Sequence, residues 1–202
     1  MAAVPGWASA AIIAAGHRMD ARGWVPATAG NISLRLDDAV IAITASGGHK
    51  GFLGPDQVMC VDLHGNPCSP GRPSAETLLH CQIYRRFPEA GAVLHGHSVA
   101  GTVVSMATHA SEISFAGYEL LKAFEGQTTH ETELSLPLVD NDQDIAALAA
   151  VMEPRLAGAK LGYLIRGHGV YVWAPDMPTA LARLEGLEFL LACELERRKL
   201  AR

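Results

Sequence analysis

Helix-like and strand-like patterns alternate along this 202-residue chain, and that alternation restricts its fold more than any other feature. Apolar residues at helical spacing predict four long helices, over 8–22, 75–87, 143–156 and 178–200. Two shorter helices are expected over 98–108 and 118–124. The last long helix carries leucines at positions 181, 184, 187, 191 and 195, which predicts a buried stripe.

Seven segments between these helices have the composition of β-strands. They cover 31–36, 40–45, 58–63, 91–97, 134–139, 161–165 and 170–173. Asp37 and Asp38 join the first two segments and predict a hairpin, which excludes a purely parallel sheet. The expected fold is therefore α/β, a single domain over 1–202 with a central mixed, largely antiparallel sheet flanked by helices.

Charge and composition exclude several classes of partner. Sixteen Lys and Arg against 21 Asp and Glu leave a net charge of −5, which disfavours nucleic acid and acidic membranes. No apolar run approaches the ~20 residues of a membrane span, so a soluble protein is expected. The four cysteines contain no Cys-x-x-Cys pair, which fits the reducing cytoplasm better than a disulfide framework or a thiolate zinc site.

Three histidines form the strongest candidate site. His95 and His97 close an apolar run and stand at i and i+2, so on a strand they point to the same face. His168 lies between Gly167 and Gly169, where the chain can approach a ligand closely. Three histidines with an open position are typical of catalytic zinc. The alternative to a metal site is that His95 and His97 are ordinary polar residues at a strand end and that His168 is an ordinary turn residue.

Small polar segments at strand ends predict an anion site. Gly30-Asn31-Ile32-Ser33 and Thr44-Ala45-Ser46-Gly47-Gly48-His49-Lys50 offer backbone N–H groups, hydroxyls and one cationic side chain, which suit a phosphate. Ordinary loops have the same composition, and they are the alternative.

Two carboxylates are candidates for acid–base chemistry. Ser74 is expected to cap a helix and to place Glu76 in its first turn, where Glu76 either complements the helix dipole or faces a metal. Glu119 lies in a short helical segment with Lys122 three residues later, which also fits an exposed ion pair.

Taken in order, these segments resemble the class II (zinc-dependent) aldolase superfamily. The markers are Gly30-Asn31-Ile32-Ser33, Thr44-Ala45-Ser46-Gly47, Pro73-Ser74-Ala75-Glu76, His95-Gly96-His97-Ser98 and His168-Gly169. Segments 44–51, 119–122 and 166–173 resemble most the branch that dehydrates a methylthio-bearing ketose phosphate in methionine salvage. Sugar-phosphate aldolases and epimerases share the same ligands and are the alternative. A non-catalytic assembly module of this fold is a third.

The resemblance also implies a set of roles for individual residues. Zinc would bind His95, His97 and His168. The substrate phosphate would face Asn31, Ser46, Gly47, Ser74 and Lys50. Glu76 matches the base of the aldolases and Glu119 the acid/base of the dehydratases, so their roles stay open. A homotetramer with the site near a subunit interface is implied, and Phe115 and Tyr118 are apolar candidates for contact with the methylthio tail.

Overall fold

A computed structural model describes residues 3–201. Within them it contains five α-helices and eight β-strands. The helices are α1 (Gly6–Ala21), α2 (Thr77–Arg86), α3 (Val99–Met106), α4 (Ile145–Leu156) and α5 (Met177–Leu200). The strands are β1 (Asn31–Arg35), β2 (Val40–Thr44), β3 (Val58–Asp62), β4 (Ala92–Gly96), β5 (Glu112–Ala116), β6 (Glu133–Val139), β7 (Tyr163–Ile165) and β8 (Val170–Ala174).

The eight strands form one sheet in the order β3-β2-β1-β4-β8-β7-β6-β5. All neighbouring strands are antiparallel except β6 and β7, which are parallel. The predicted mixed, largely antiparallel sheet is therefore confirmed. In the centre, Asn31 of β1 is opposite His95 of β4, and His95 is opposite Tyr171 of β8. This register brings three distant parts of the sequence to one end of the sheet.

Side chains alternate along each strand, so apolar residues point to both faces of the sheet, and helices cover both faces. Apolar residues of α1, α3 and α5 form a core on one face, which includes Leu94 of β4. Residues of α2 and α4 form a second core on the opposite face, which includes Val93 and Tyr171. His95 lies on this second face, stacked on Tyr171 with ring centroids 4.1 Å apart.

The four long helices begin and end within two residues of the predicted bounds. The predicted helix over 118–124 is wrong, because these residues form a 3₁₀ helix, Glu119–Ala123. The count of seven strands is also wrong, because β5 adds an eighth. β5 lies at the sheet edge, where Ile113 and Phe115 are buried between exposed residues.

The start of α2 differs from the prediction as well. The helix begins at Thr77, with Glu76 in the cap position, so Ser74 is not its N-cap. Instead, Ser74 begins the turn before the helix, where its carbonyl accepts a hydrogen bond from the Thr77 N–H at 3.1 Å. Among residues 3–201, no helix is both long and apolar enough to cross a membrane.

Candidate metal centre and active site

The three candidate histidines converge at the end of the sheet. One ring nitrogen from each of His95, His97 and His168 lies within 4.8 Å of the others. His95 is in β4, His97 directly follows this strand, and His168 lies in the turn between β7 and β8. Because β8 pairs with β4, this turn lies beside the end of β4.

Glycine makes this close approach possible. A Cβ at Gly169 would lie 2.2 Å from the carbonyl oxygen of Gly96 and 2.9 Å from Cε1 of His95. Gly167, on the other side of His168, has a φ of +64°, which residues with a side chain rarely adopt. The Gly-His-Gly sequence therefore allows His168 to lie against the β4 strand.

Two of the imidazoles are oriented by hydrogen bonds to their Nδ1 atoms. Nδ1 of His95 donates to the carbonyl oxygen of Val170 at 2.9 Å, and Nδ1 of His168 donates to Oδ1 of Asn141 at 3.3 Å. In the neutral ring of His95, Nε2 therefore carries the lone pair. Burial lowers the pKa of His95 to about 4 and that of His97 to about 3, so both rings are neutral at neutral pH.

Glu76 lies against the same nitrogens. Its Oε1 is 2.8 Å from Nε2 of His168, and its Oε2 is 3.2 Å from Nε2 of His95. Oε2 also accepts a hydrogen bond from Nδ2 of Asn31 at 2.6 Å. Burial by itself raises the pKa of Glu76, but the hydrogen bond from His168 and the closeness of His95, His168 and His97 outweigh it and leave the pKa below its usual range.

This arrangement fits a bound cation. Nε2 of His95 is fully buried and, within 3–201, has no hydrogen-bond partner. In the neutral ring it is an acceptor, and so is the Glu76 oxygen 3.2 Å away. Two acceptors in contact are unfavourable unless a cation lies beside both. Neutral imidazoles with one carboxylate nearby are a donor set suited to a divalent transition metal.

The residues predicted to bind an anion surround one cavity. It has a volume of about 300 Å³ and opens beside Glu76 and His97. Its lining includes all five of the predicted residues, which are Asn31, Ser46, Gly47, Lys50 and Ser74. Nζ of Lys50 donates to the carbonyl oxygens of Thr28 at 2.6 Å and Gly48 at 2.9 Å. Burial lowers the pKa of Lys50 to about 8, against an opposing effect of Glu76.

A second cavity, of about 450 Å³, lies on the other side of the histidines and shares Glu76 and His97 with the first. Its lining includes Asn141 of the loop between β6 and α4, and Ile145 at the start of α4. Sequence reasoning missed this loop. Its one signal is the polar run 140–144 at the end of β6, a composition that ordinary loops share.

The structure does not bring Glu119 to the histidines of its own chain. Its side chain is 73% exposed, pairs with Nζ of Lys122 and lies 3.8 Å from Nδ1 of His130. Glu119 lines neither cavity beside the histidines. Phe115 and Tyr118 also line neither, and Phe115 is buried in the core.

Relatives and solved structures agree with this architecture. The chain is 66% identical to a methylthioribulose-1-phosphate dehydratase of Granulibacter bethesdensis, over 97% of this chain and 94% of that relative. It is 53% identical to a methylthioribulose-1-phosphate dehydratase of Pseudomonas syringae, over 93% of each. An L-fuculose-1-phosphate aldolase from Thermus thermophilus superposes with a TM-score of 0.77 at 25% identity, over 95% of each chain.

A family model spans almost the whole chain. The model describes the class II aldolase and adducin N-terminal domain, and it matches residues 10–195. The mixed sheet, the histidine cluster and the two flanking cavities all lie within that range. This chain belongs to the class II aldolase and adducin N-terminal domain family.

Proposed function

We propose that this chain is a methylthioribulose-1-phosphate dehydratase, a hydro-lyase of methionine salvage. It removes water from 5-methylthioribulose 1-phosphate and forms 2,3-diketo-5-methylthiopentyl 1-phosphate. The identity to dehydratases over nearly the full chain supports the reaction. The observation that carries the chemistry is the buried contact between Nε2 of His95 and the Glu76 carboxylate, with a cavity on either side.

One zinc ion per chain is proposed on His95, His97 and His168. Three imidazoles and one open position are the usual donor set of catalytic zinc. The bound ion supplies Lewis-acid catalysis, which acidifies a C–H bond next to a ketone. The short distances between the three ring nitrogens support this assignment.

The protein's own residues orient the substrate and move the protons. In the proposal, Asn31, Ser46, Gly47, Ser74 and Lys50 bind the phosphate in the smaller cavity. The carbon chain then passes Glu76 toward the larger cavity. Glu76 takes the proton from C3, and the hydroxyl at C4 leaves as water after a second carboxylic acid, Glu119, protonates it. The resulting enol tautomerises to the 2,3-diketone.

This scheme requires Glu119 from another subunit. Within one chain Glu119 is exposed and lines neither cavity, so we propose a homotetramer in which each site takes Glu119 from a neighbour. Exposed large apolar side chains, among them Met106 and Phe189, support contacts between copies. We also propose a cytoplasmic protein of one domain over 1–202, in keeping with its four free cysteines.

A paired measurement of zinc content and product tests the proposal. The purified protein is expected to carry one zinc per chain and to form the diketone from methylthioribulose 1-phosphate. The His95→Ala/His97→Ala variant should lose both properties, because two of the three ligands are gone. Elemental analysis measures the zinc content, and product detection measures diketone formation. Normal zinc loading in the double variant would contradict the proposed ligand set.

A sugar-phosphate aldolase is the second candidate. The Glu76 carboxylate lies beside His168, and a carboxylate in that position could act as the base on a ketose bound at the histidines. The same preparation is therefore offered fuculose 1-phosphate and rhamnulose 1-phosphate. Cleavage to dihydroxyacetone phosphate, without diketone formation from the methylthio substrate, would favour the aldolase.

A further inference from the structure

His97 differs from the other two histidines in how it is held. Nδ1 of His95 and Nδ1 of His168 each donate to an oxygen of a neighbouring segment. The His97 ring makes no hydrogen bond of this kind with any residue in 3–201. Its backbone N–H donates to the carbonyl oxygen of Trp24 at 2.6 Å. The direction of the His97 ring therefore depends on how the main chain is fixed on both sides of this residue.

Ser98 holds the chain on the other side of His97. It is the N-cap of α3, and its Oγ accepts a hydrogen bond from the Gly101 N–H at 2.9 Å. The hydroxyl proton remains free for donation, since accepting this bond uses only a lone pair. Helix α3 packs against α5, so an acceptor on α5 is well placed to receive that proton.

Glu188 is a carboxyl group on this part of α5. It is only 4% exposed, and within 3–201 neither of its carboxyl oxygens has a completed hydrogen bond. Burial raises its pKa to about 7, and the Ser98 side chain is the one group that acts in the opposite direction. The Ser98 hydroxyl lies beside this part of α5, because a Cβ at Gly101 would be 3.2 Å from Oγ of Ser98 and 3.6 Å from Cδ1 of Leu191, which is one helical turn from Glu188.

A carboxyl group at this position is unfavourable for packing. Leu184, Leu187 and Leu191 around it are fully buried, and a leucine at 188 would extend their stripe. A buried carboxyl without a charged partner costs stability. Residues that break a packing rule in this way often act at a functional site.

We propose that Glu188 is a positioning residue that accepts the Ser98 hydroxyl proton, fixes the first turn of α3 and thereby directs the His97 imidazole toward the metal. This inference rests on the proposed metal site. It adds a group on α5, which belongs to the opposite face of the sheet from the α2 segment that carries Glu76.

Metal affinity tests the inference directly. Full-length metal-free protein is titrated with zinc in competition with a chromophoric chelator, and cobalt loading reports coordination geometry through its visible spectrum. Glu188→Leu is expected to weaken zinc binding roughly 10–100-fold, the usual cost of losing an outer partner of a ligand, and to alter the cobalt spectrum. Its thermal unfolding temperature without metal should equal or exceed that of the wild type, because the buried carboxyl is gone.

Two further variants separate positioning from general structure. Glu188→Gln retains an oxygen that accepts from Ser98, so it should keep most of the zinc affinity. Glu185→Gln is the matched control: it removes a carboxylate on the same helix that pairs at the surface with Arg18, and zinc binding should not change. Ser98→Ala should weaken binding as Glu188→Leu does, and the double variant should be no weaker than either single variant.

The outcomes distinguish this inference from the proposed function. Wild-type zinc affinity and an unchanged cobalt spectrum in Glu188→Leu would overturn the role of Glu188 and leave the metal site standing. If Glu188→Leu does not fold, unchanged affinity in Ser98→Ala overturns the inference in the same way. If the wild type itself binds no zinc, the metal site and the inference both fail.

Discussion

His80 is a fully buried imidazole whose edge packs against Tyr171, the ring on which His95 stacks. Its Nδ1 lies 2.7 Å from Oγ of Ser33, which in turn lies 2.9 Å from the Tyr84 hydroxyl. Burial lowers the pKa of His80 to about 4, although nearby Glu76 acts to raise it. The folded protein therefore keeps His80 neutral in a pH range where the unfolded chain already binds a proton.

This difference predicts a loss of stability in acid. Between about pH 6.5 and pH 4 the unfolded state binds one proton more at His80 than the folded state does. The unfolding free energy therefore decreases as the pH is lowered, by up to about 1.4 kcal/mol per pH unit. Urea unfolding of metal-free protein, measured at several pH values, should show a shallower fall in His80→Gln than in the wild type.

The exposed His17 of α1 provides the control, because His17→Gln should leave the pH dependence as it is in the wild type. Equal slopes in wild type and His80→Gln would show that His80 is not held neutral by the fold.

Individual residues of the site could be predicted because their chemistry is local. His95 and His97 share a strand face by the alternation of side chains, and the two glycines beside His168 mark a close approach. The contact between Glu76 and His95 could not be predicted, since 18 residues that include a helix lie between them in sequence. The roles implied for the phosphate-binding residues and for both carboxylates remain predictions.

The turn between β7 and β8 places His168 beside the other two histidines. A methyl group at Gly169 would collide with the Gly96 carbonyl and with the His95 ring, and both belong to β4. Gly169→Ala is therefore expected to destabilise the protein by about 1–3 kcal/mol, the usual cost of overpacking, and to weaken zinc binding. Urea unfolding and chelator competition measure the two effects.

Gly6→Ala is the matched control for this substitution, because a Cβ at Gly6 meets no atom within 4 Å. It should leave both stability and zinc affinity near the wild-type values. A Gly169→Ala variant that behaves like Gly6→Ala would mean that the turn moves freely relative to β4.

The long helices were predictable, whereas two short elements, β5 and the segment Glu119–Ala123, were not. The leucine stripe of α5, from 181 to 195, repeats over about four turns, so its helical period dominates any local preference. β5 offers only Ile113 and Phe115 as buried residues, too few to establish alternation. The segment Glu119–Ala123 has helical composition but forms only a 3₁₀ turn, which packs on α5.

At the scale of the molecule, the order of the strands was beyond sequence reasoning. β1 pairs with β4, and β4 with β8, although long stretches of chain separate these strands. Such pairing depends on the burial of two cores at once, one on each face of the sheet. The histidine cluster and the smaller cavity beside it exist only because this order places three strand ends together.

The whole-molecule hypothesis is that the site is shared between subunits, and two inactive variants test it. Glu119→Gln alone is expected to lower dehydration by roughly 10²–10⁴-fold without affecting zinc content, as for loss of a general acid. His97→Ala alone should be inactive because its own metal site is incomplete. Neither substitution lies in the core, so both proteins should fold.

Mixed and allowed to exchange subunits in equal amounts, the two variants should recover activity. A site formed by the histidines of one chain and Glu119 of its neighbour is intact in about a quarter of random pairings, so about a quarter of wild-type activity is expected. Each variant exchanged with itself is the control. If Glu119 served the histidines of its own chain, every site would lack one group or the other, and the mixture would stay inactive.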